Sequence, residues 1–275
     1  MDYYNELRQN RVHKSRDGCR PGPTLYNQTM TQIQRKVFFE MFDGQRVFCS
    51  LSEPSTSQKK MVIMGHGFRG TSVGPARTFV DFENILLADG FSVLRYDQIG
   101  CGNSDGDFIH VSYTQWVNTL VFLTQKYLHL GYQIALLGHS MGGSATVVAT
   151  AQPQLKDKIP CIILWAPGVN DSEFVTDAET MYEEAGQKYY GKFWNESRGS
   201  DFFARLGEYA GGIYLVYGEN DKYMKEELRN KVIAVIQEKG EEYTILKGQD
   251  HASWQYDVAR EVYAGALRKL QSYFK

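Results

Sequence analysis

A mostly parallel α/β sheet, doubly wound with helices on both faces, is the fold predicted for this 275-residue chain. Three observations predict it. Short apolar runs ending in glycine, such as "KKMVIMGHG" and "QIALLGHS", alternate with segments of helical spacing. Parallel strands read this way because both of their faces are covered. The alternation runs through most of the chain without a repeat, a low-complexity tract or a dividing linker, which argues for one domain. Finally, a serine hemmed by glycines, "GHSMGG" at 138–143, stands where a strand gives way to a helix.

The elements follow in order. Residues 1–34 form a polar N-terminal arm with Arg8, Arg11, Lys14, Arg16 and Arg20 among few apolar residues. Such an arm could touch an acidic partner, pack over the domain surface or support a homodimer contact. The runs Val37 to Met41 and Val47 to Leu51 flank Asp43-Gly44 and read as an antiparallel hairpin. After the "MVIMG" strand, helical spacing from Pro75 to Ala88 places Phe79, Phe82, Leu86 and Leu87 on one side. "FSVLRYD" is the next strand, and Val111 to Leu130 a long amphipathic helix. "QIALLGHS", a helix over 141–152 and "IPCIILWAP" continue the pattern. It resumes with "GGIYLVYG", a helix from about Lys222 to Glu238, the strand "EYTIL" and a helix from about Tyr256 to Tyr273. This makes about eight strands.

Residues 35–170 and 211–275 therefore form the core. Between them, 171–210 breaks the rhythm after the sixth strand. A structureless loop of roughly 40 residues is improbable in a compact domain, so the segment reads as a cap or lid insertion. Its aromatics, including Tyr189, Tyr190, Phe193 and Trp194, are candidate substrate contacts. Its acids Asp171, Glu173, Asp177, Glu179, Glu183 and Glu184 could select a cationic substrate or form a solvated helix face.

Composition narrows the function classes. The chain is 43% hydrophobic and 23% charged with a net charge of −2, which gives no global reason to expect nucleic acid or an anionic membrane as partner. No apolar run approaches the ~18 residues of a membrane span. The opening residues lack the apolar stretch of a secretory signal, so a cytoplasmic location is expected. Cys19, Cys49, Cys101 and Cys161 show neither paired nor metal-type spacing and read as free thiols. No metal or organic cofactor is called for.

Gly138-His139-Ser140-Met141-Gly142 fits G-x-S-x-G, the turn that presents a nucleophilic serine at the end of a strand. The glycines let backbone segments approach where a Cβ would clash. The serine needs a base, and in this architecture the base follows the nucleophile and the acid along the chain. His13, His66, His110, His129 and His139 precede Ser140, which leaves His251 in "KGQDHASW". The orienting acid must lie between them at a strand's carboxyl end. Asp221 in "YGENDKYM" does, with Glu219, Asn220, Asp171 and Asp250 as rivals. Two backbone N–H groups must face the oxyanion: Met141, directly after the serine, and Phe68 in "GHGFRG". Arg69 could bind a substrate carboxylate or pair with a nearby acid.

The ordered set His66-Gly67-Phe68, "YDQIGCGNSDG" at 96–106, "GHSMGG", "GENDKYM" at 218–224 and "GQDHASW" at 248–254 resembles the α/β-hydrolases of the esterase/lipase superfamily. More narrowly, the chain looks like the bacterial cinnamoyl (feruloyl) esterase-type serine hydrolases. The resemblance implies an insertion after the sixth strand that shapes the acyl pocket. The chain departs from that group at Cys101, where histidine is common, and in the sequence of the insertion, so acyl specificity does not carry over. The expectation is a serine hydrolase that cleaves an ester of a small or medium acyl group through an acyl-enzyme on Ser140. A thioesterase, an acyltransferase, a peptidase and a non-catalytic binding protein on the same fold are the alternatives.

Overall fold

A computed structural model describes residues 33–55, 58–169 and 177–275. The basic arm lies outside the described residues except for its last two, which open β1 (Ile33–Phe42). β1 pairs antiparallel with β2 (Gln45–Pro54). Their connection, Asp43-Gly44, has both residues at positive φ (51° and 74°), as a two-residue turn matched to strand twist requires. The hairpin is longer than the apolar runs suggest because pairing continues from Ile33↔Pro54 to Phe42↔Gln45.

The other strands of the main sheet are β3 (Lys60–Gly65), β4 (Ser92–Tyr96), β5 (Gln133–His139), β6 (Cys161–Trp165), β9 (Gly212–Gly218) and β10 (Glu242–Leu246). Their order is β1-β2-β4-β3-β5-β6-β9-β10, and every pairing from β4 to β10 is parallel. The strands' two-residue period sorts the core into two clusters. Met61 and Ile63 of β3, with Ile134 and Leu136 of β5, face one way; Val62, Met64, Ala135 and Leu137 face the other. The first face is covered by α2 (Tyr113–His129), α3 (Met141–Thr150) and α6 (Glu226–Glu238). The second carries α1 (Thr78–Ala88) and α7 (Tyr256–Tyr273), whose Phe79, Phe82, Leu86, Val262 and Leu270 are buried. Each such side chain contributes about 1.5–3 kcal/mol when removed from water.

Two helix starts differ from the sequence expectation. The segment from Pro75 begins as a 3-10 turn, and α1 starts only at Thr78, because Ala76 and Arg77 both have positive φ. α6 starts at Glu226 rather than near Lys222. There the carboxylate of Asp221 accepts the N–H groups of Tyr223 (2.9 Å) and Met224 (3.0 Å), winding residues 221–224 into a separate turn.

Between β6 and β9, the described residues form a hairpin, β7 (Met181–Glu184) with β8 (Gln187–Tyr190), then α4 (Lys192–Arg198) and α5 (Phe202–Glu208). The acids Glu183 and Glu184 thus lie on a strand, not on a helix face. Phe193, Phe202 and Leu206 join the first apolar cluster. Cys49, Cys101 and Cys161 are free and buried. No helix among the described residues is long and apolar enough to cross a membrane.

Candidate active site

Loops leaving the carboxyl ends of β3, β5, β6, β9 and β10 meet at one edge of the sheet, where ligands bind in open α/β folds. Ser140 sits there between β5 and α3 with φ 54° and ψ −127°. Such a conformation costs about 1–3 kcal/mol and persists only where the surroundings hold it. Here they do. The Ser140 N–H donates to the Trp165 carbonyl of β6 (3.0 Å), and the Ser140 carbonyl accepts from Gly143 and Gly168 (both 2.8 Å). The turn also needs bare backbone beside it. A Cβ on Gly67 would lie 2.7 Å from the Ser140 Cβ, and one on Gly138 would lie 2.5 Å from the Gly143 Cα.

Asp221 and His251, each in the loop after its strand, are in direct contact. The Nδ1 of His251 and Oδ2 of Asp221 are 2.8 Å apart, with the Asp221 side chain fully buried and that of His251 10% exposed. Against a carboxylate, Nδ1 carries the proton and Nε2 is left as the basic nitrogen. The other Asp221 oxygen is taken by the Tyr223 and Met224 N–H groups, so the carboxylate cannot swing away without losing three partners. Two of the rivals are engaged elsewhere. Asp250 turns back to accept the His251 N–H (2.7 Å), which holds its carboxyl below the usual range, and Glu219 accepts from Gly248 (2.8 Å). Asp171 lies outside the described residues.

Ser140, His251, Phe68 and Met141 line one cavity of about 730 Å³. Met141 is the first residue of α3, so its N–H has no intrahelical acceptor and sits at the positive end of the helix dipole. Phe68 lies on the loop after β3, which His66 fastens. The His66 Nε2 accepts the Gln98 N–H (2.9 Å), so its Nδ1 carries the proton and donates to the Gly67 carbonyl (2.8 Å). Burial holds this histidine below its ordinary pKa, which keeps it neutral.

The aromatic candidates divide. Tyr189 and Trp194 line the cavity, each with its ring 4.9 Å from that of Phe68. Tyr190 and Phe193 do not, and both are corrections to the sequence reading. Tyr190 follows Tyr189 on β8, so its side chain points the other way and stacks on His110 (6.2 Å). Phe193 is wholly buried behind Phe68, between Tyr113 and Trp116. Arg69 lines the cavity and takes the second of its two expected roles, pairing with Glu184 at 2.8 Å. Cys101 is buried and lines a separate cleft of about 460 Å³.

Residues beyond the sequence candidates complete the site. His139 stands with its ring 5.1 Å from His251; burial first, then the His251 charge, lowers its pKa to about 3. Tyr223 and Tyr182 also line the cavity. Tyr223 follows Asp221 by two positions, a proximity that could have flagged it; Tyr182 carried no signal apart from the aromatic richness of its segment. Among the described residues no group of three or more His, Cys, Asp or Glu is placed to share a metal ion.

Comparison with known proteins places this arrangement. The family model described as Hydrolase_4, serine aminopeptidase, S33, matches residues 56–201, just over half of the chain. The monoglyceride lipase of Rattus norvegicus is 30% identical over 118 residues, which cover 40% of this chain and 36% of that protein. A proline iminopeptidase of Clostridioides difficile (strain 630) is 33% identical over 111 residues, 38% of this chain and 35% of that protein. The matched region thus spans little more than a third of these curated relatives. Among solved structures, Est1E from Butyrivibrio proteoclasticus with ferulic acid bound superposes with a TM-score of 0.72 at 22% identity, over 85% of this chain and 99% of that one. The mouse alpha/beta hydrolase domain-containing protein 10 gives 0.69 at 15% identity, over 86% and 99%. At such identities the likeness is one of fold. An eight-stranded, mostly parallel sheet, a serine turn after its fifth strand and a family match across that turn lead to one conclusion: the chain belongs to the Hydrolase_4 family of α/β-hydrolases.

Proposed function

We propose that the protein is a serine hydrolase that cleaves a carboxylic ester of a small or medium acyl group through an acyl-enzyme on Ser140. The observation that carries this reading is the buried 2.8 Å contact of Asp221 with His251 Nδ1, in a site where His251 shares its cavity with a serine held at φ 54°. In the proposed reaction Ser140 Oγ attacks the ester carbonyl while His251 Nε2 takes its proton. Asp221 holds the imidazole in the productive tautomer and stabilises the imidazolium. The Phe68 and Met141 N–H groups receive the oxyanion. His251 then gives its proton to the leaving oxygen, and water enters by the same steps to release the acid. No step calls on a cofactor. The segment 171–210 acts as a cap: its Tyr182, Tyr189 and Trp194 supply walls for the substrate.

One feature favours an ester over the aminopeptidase reaction in the family's description. An exopeptidase must fix its substrate's free α-ammonium, for which an unpaired carboxylate in the cavity is the natural group. Glu184 is the carboxylate lining the cavity among the described residues, and Arg69 already neutralises it.

The test is a panel of p-nitrophenyl esters, hydroxycinnamate esters, acyl thioesters and aminoacyl anilides, run with and without nucleophilic acceptors, on the wild type and Ser140→Ala. Ester turnover should fall by about 10⁴–10⁶-fold in the variant. A fluorophosphonate should label Ser140 in peptide mass spectra. An unlabelled Ser140, or preferential cleavage of the anilides, would overturn the reading.

A further inference from the structure

The cavity has two unlike sides. On one, Phe68 gathers Tyr189 and Trp194 at 4.9 Å, and Tyr182 stacks on Tyr189 at 5.6 Å. On the other, Tyr223 has its ring 5.2 Å from His251, tilted by 55°. We infer that Tyr223 is the wall of a leaving-group subsite, and that this subsite takes an arylalkyl alcohol. The inference rests on the Ser140–His251 reading above.

The chemistry decides which side the leaving group occupies. As the Ser140 Oγ–carbon bond replaces the carbon–oxygen bond to the alcohol, the proton taken from Oγ passes from His251 Nε2 to the departing oxygen. That oxygen must come within about 2.6–3.2 Å of Nε2. The atoms attached to it then lie against whatever flanks the imidazole, and Tyr223 does.

Tyr223 is built as a fixed platform with an unspent face. Its N–H is held by Asp221 at 2.9 Å, and the next residue, Met224, is 3% exposed. Tyr223 itself stays 74% exposed, and its hydroxyl has no hydrogen-bond partner among the described residues. The ring therefore contributes nothing to the core and offers a flat apolar surface at the mouth of the cavity. A second ring placed on it gains offset or edge contact. A methyl group has no ring face to lay against it. By reversal, the same wall receives an acceptor alcohol when the acyl-enzyme is broken down by transfer.

The experiment holds the acyl group constant. Methyl and benzyl butanoate are turned over by the wild type, Tyr223→Ala and Tyr223→Phe, and the benzyl-to-methyl ratio of kcat/KM is read. The ratio should fall about tenfold in Tyr223→Ala and persist in Tyr223→Phe. An unchanged ratio, or an equal loss on both esters, overturns the subsite. A second readout does not need turnover: in the Ser140→Ala background, calorimetry should show benzyl butanoate binding weakened by Tyr223→Ala. Failure of the wild type to hydrolyse either ester, with that weakening intact, would remove the esterase reading and leave the ring-binding wall. Turnover of both with no effect of Tyr223→Ala on ratio or binding would do the reverse.

Discussion

The sheet side and the hairpin side of the cavity are held by different physics. On the sheet side, Ser140, Asp221 and His251 are fixed through hydrogen bonds to backbone and by bare glycine contacts, within a buried edge. On the hairpin side, among the described residues, β7 and β8 meet the core through ring faces and the ion pair of Arg69 with Glu184, whose side chains are 21% and 48% exposed. An ion pair that open to water is worth about 0–1 kcal/mol. The contrast teaches a division of labour. Directional bonds to the main chain tolerate no change in atoms, whereas ring contacts tolerate many shapes. The sheet side is suited to proton transfer, and the hairpin side to choosing what is brought to it.

The largest expected effect breaks the sheet side. Asp221→Asn keeps the shape but favours the wrong imidazole tautomer, so kcat on one activated ester near pH 7 should drop about 10⁴-fold. Asp171→Asn should change it only a few-fold. A reversed ranking would move the acid to Asp171. Next in size is Gly138→Ala. The new methyl meets the Gly142 carbonyl and lies 2.5 Å from the Gly143 Cα, neither of which can move without opening the serine turn. Overpacking of this kind costs about 1–3 kcal/mol, seen in calorimetry as a Tm lower by about 2–4 °C per kcal/mol. Turnover should fall with it; an active variant of unchanged Tm would show that the turn is looser than its contacts imply. The smallest effect sharpens the hairpin side. Trp194→Ala should shift the ratio of kcat/KM between acetate and phenylpropanoate esters by about 3–10-fold, while Tyr190→Ala, on the far face of β8, should shift it less than about twofold. Equal shifts would mean that the hairpin acts as one rigid body and not through the rings that face the cavity.

The sheet side was also the more legible in sequence. Glycine spacing around Ser140 and the order of elements along the chain singled out Asp221 and His251, residues that the fold brings into contact, because main-chain constraints leave marks in residue type. The hairpin side left fewer. Tyr189 and Tyr190 are alike in sequence, and only the register of a strand pair decides which of them faces the cavity. Arg69 finds its partner 115 positions away, and nothing local announces Glu184 as that partner. The late start of α6 has a local cause: residues 222–225 are compatible with a helix, but the neighbouring Asp221 carboxylate takes the Tyr223 and Met224 N–H groups into a separate turn. Phe193 misled because an aromatic serves a core as well as a pocket.

The three-way grip of the Asp221 carboxylate reaches beyond the reaction itself. It holds residue 223 by the N–H of its main chain and asks nothing of its side chain. Any amino acid except proline can supply that donor, so the position next to the proposed proton relay is open to exchange while the relay stays anchored. A saturation library at this one codon would therefore sample new alcohol preferences at little cost in folding, and a lineage carrying this loop could drift among substrates by single steps.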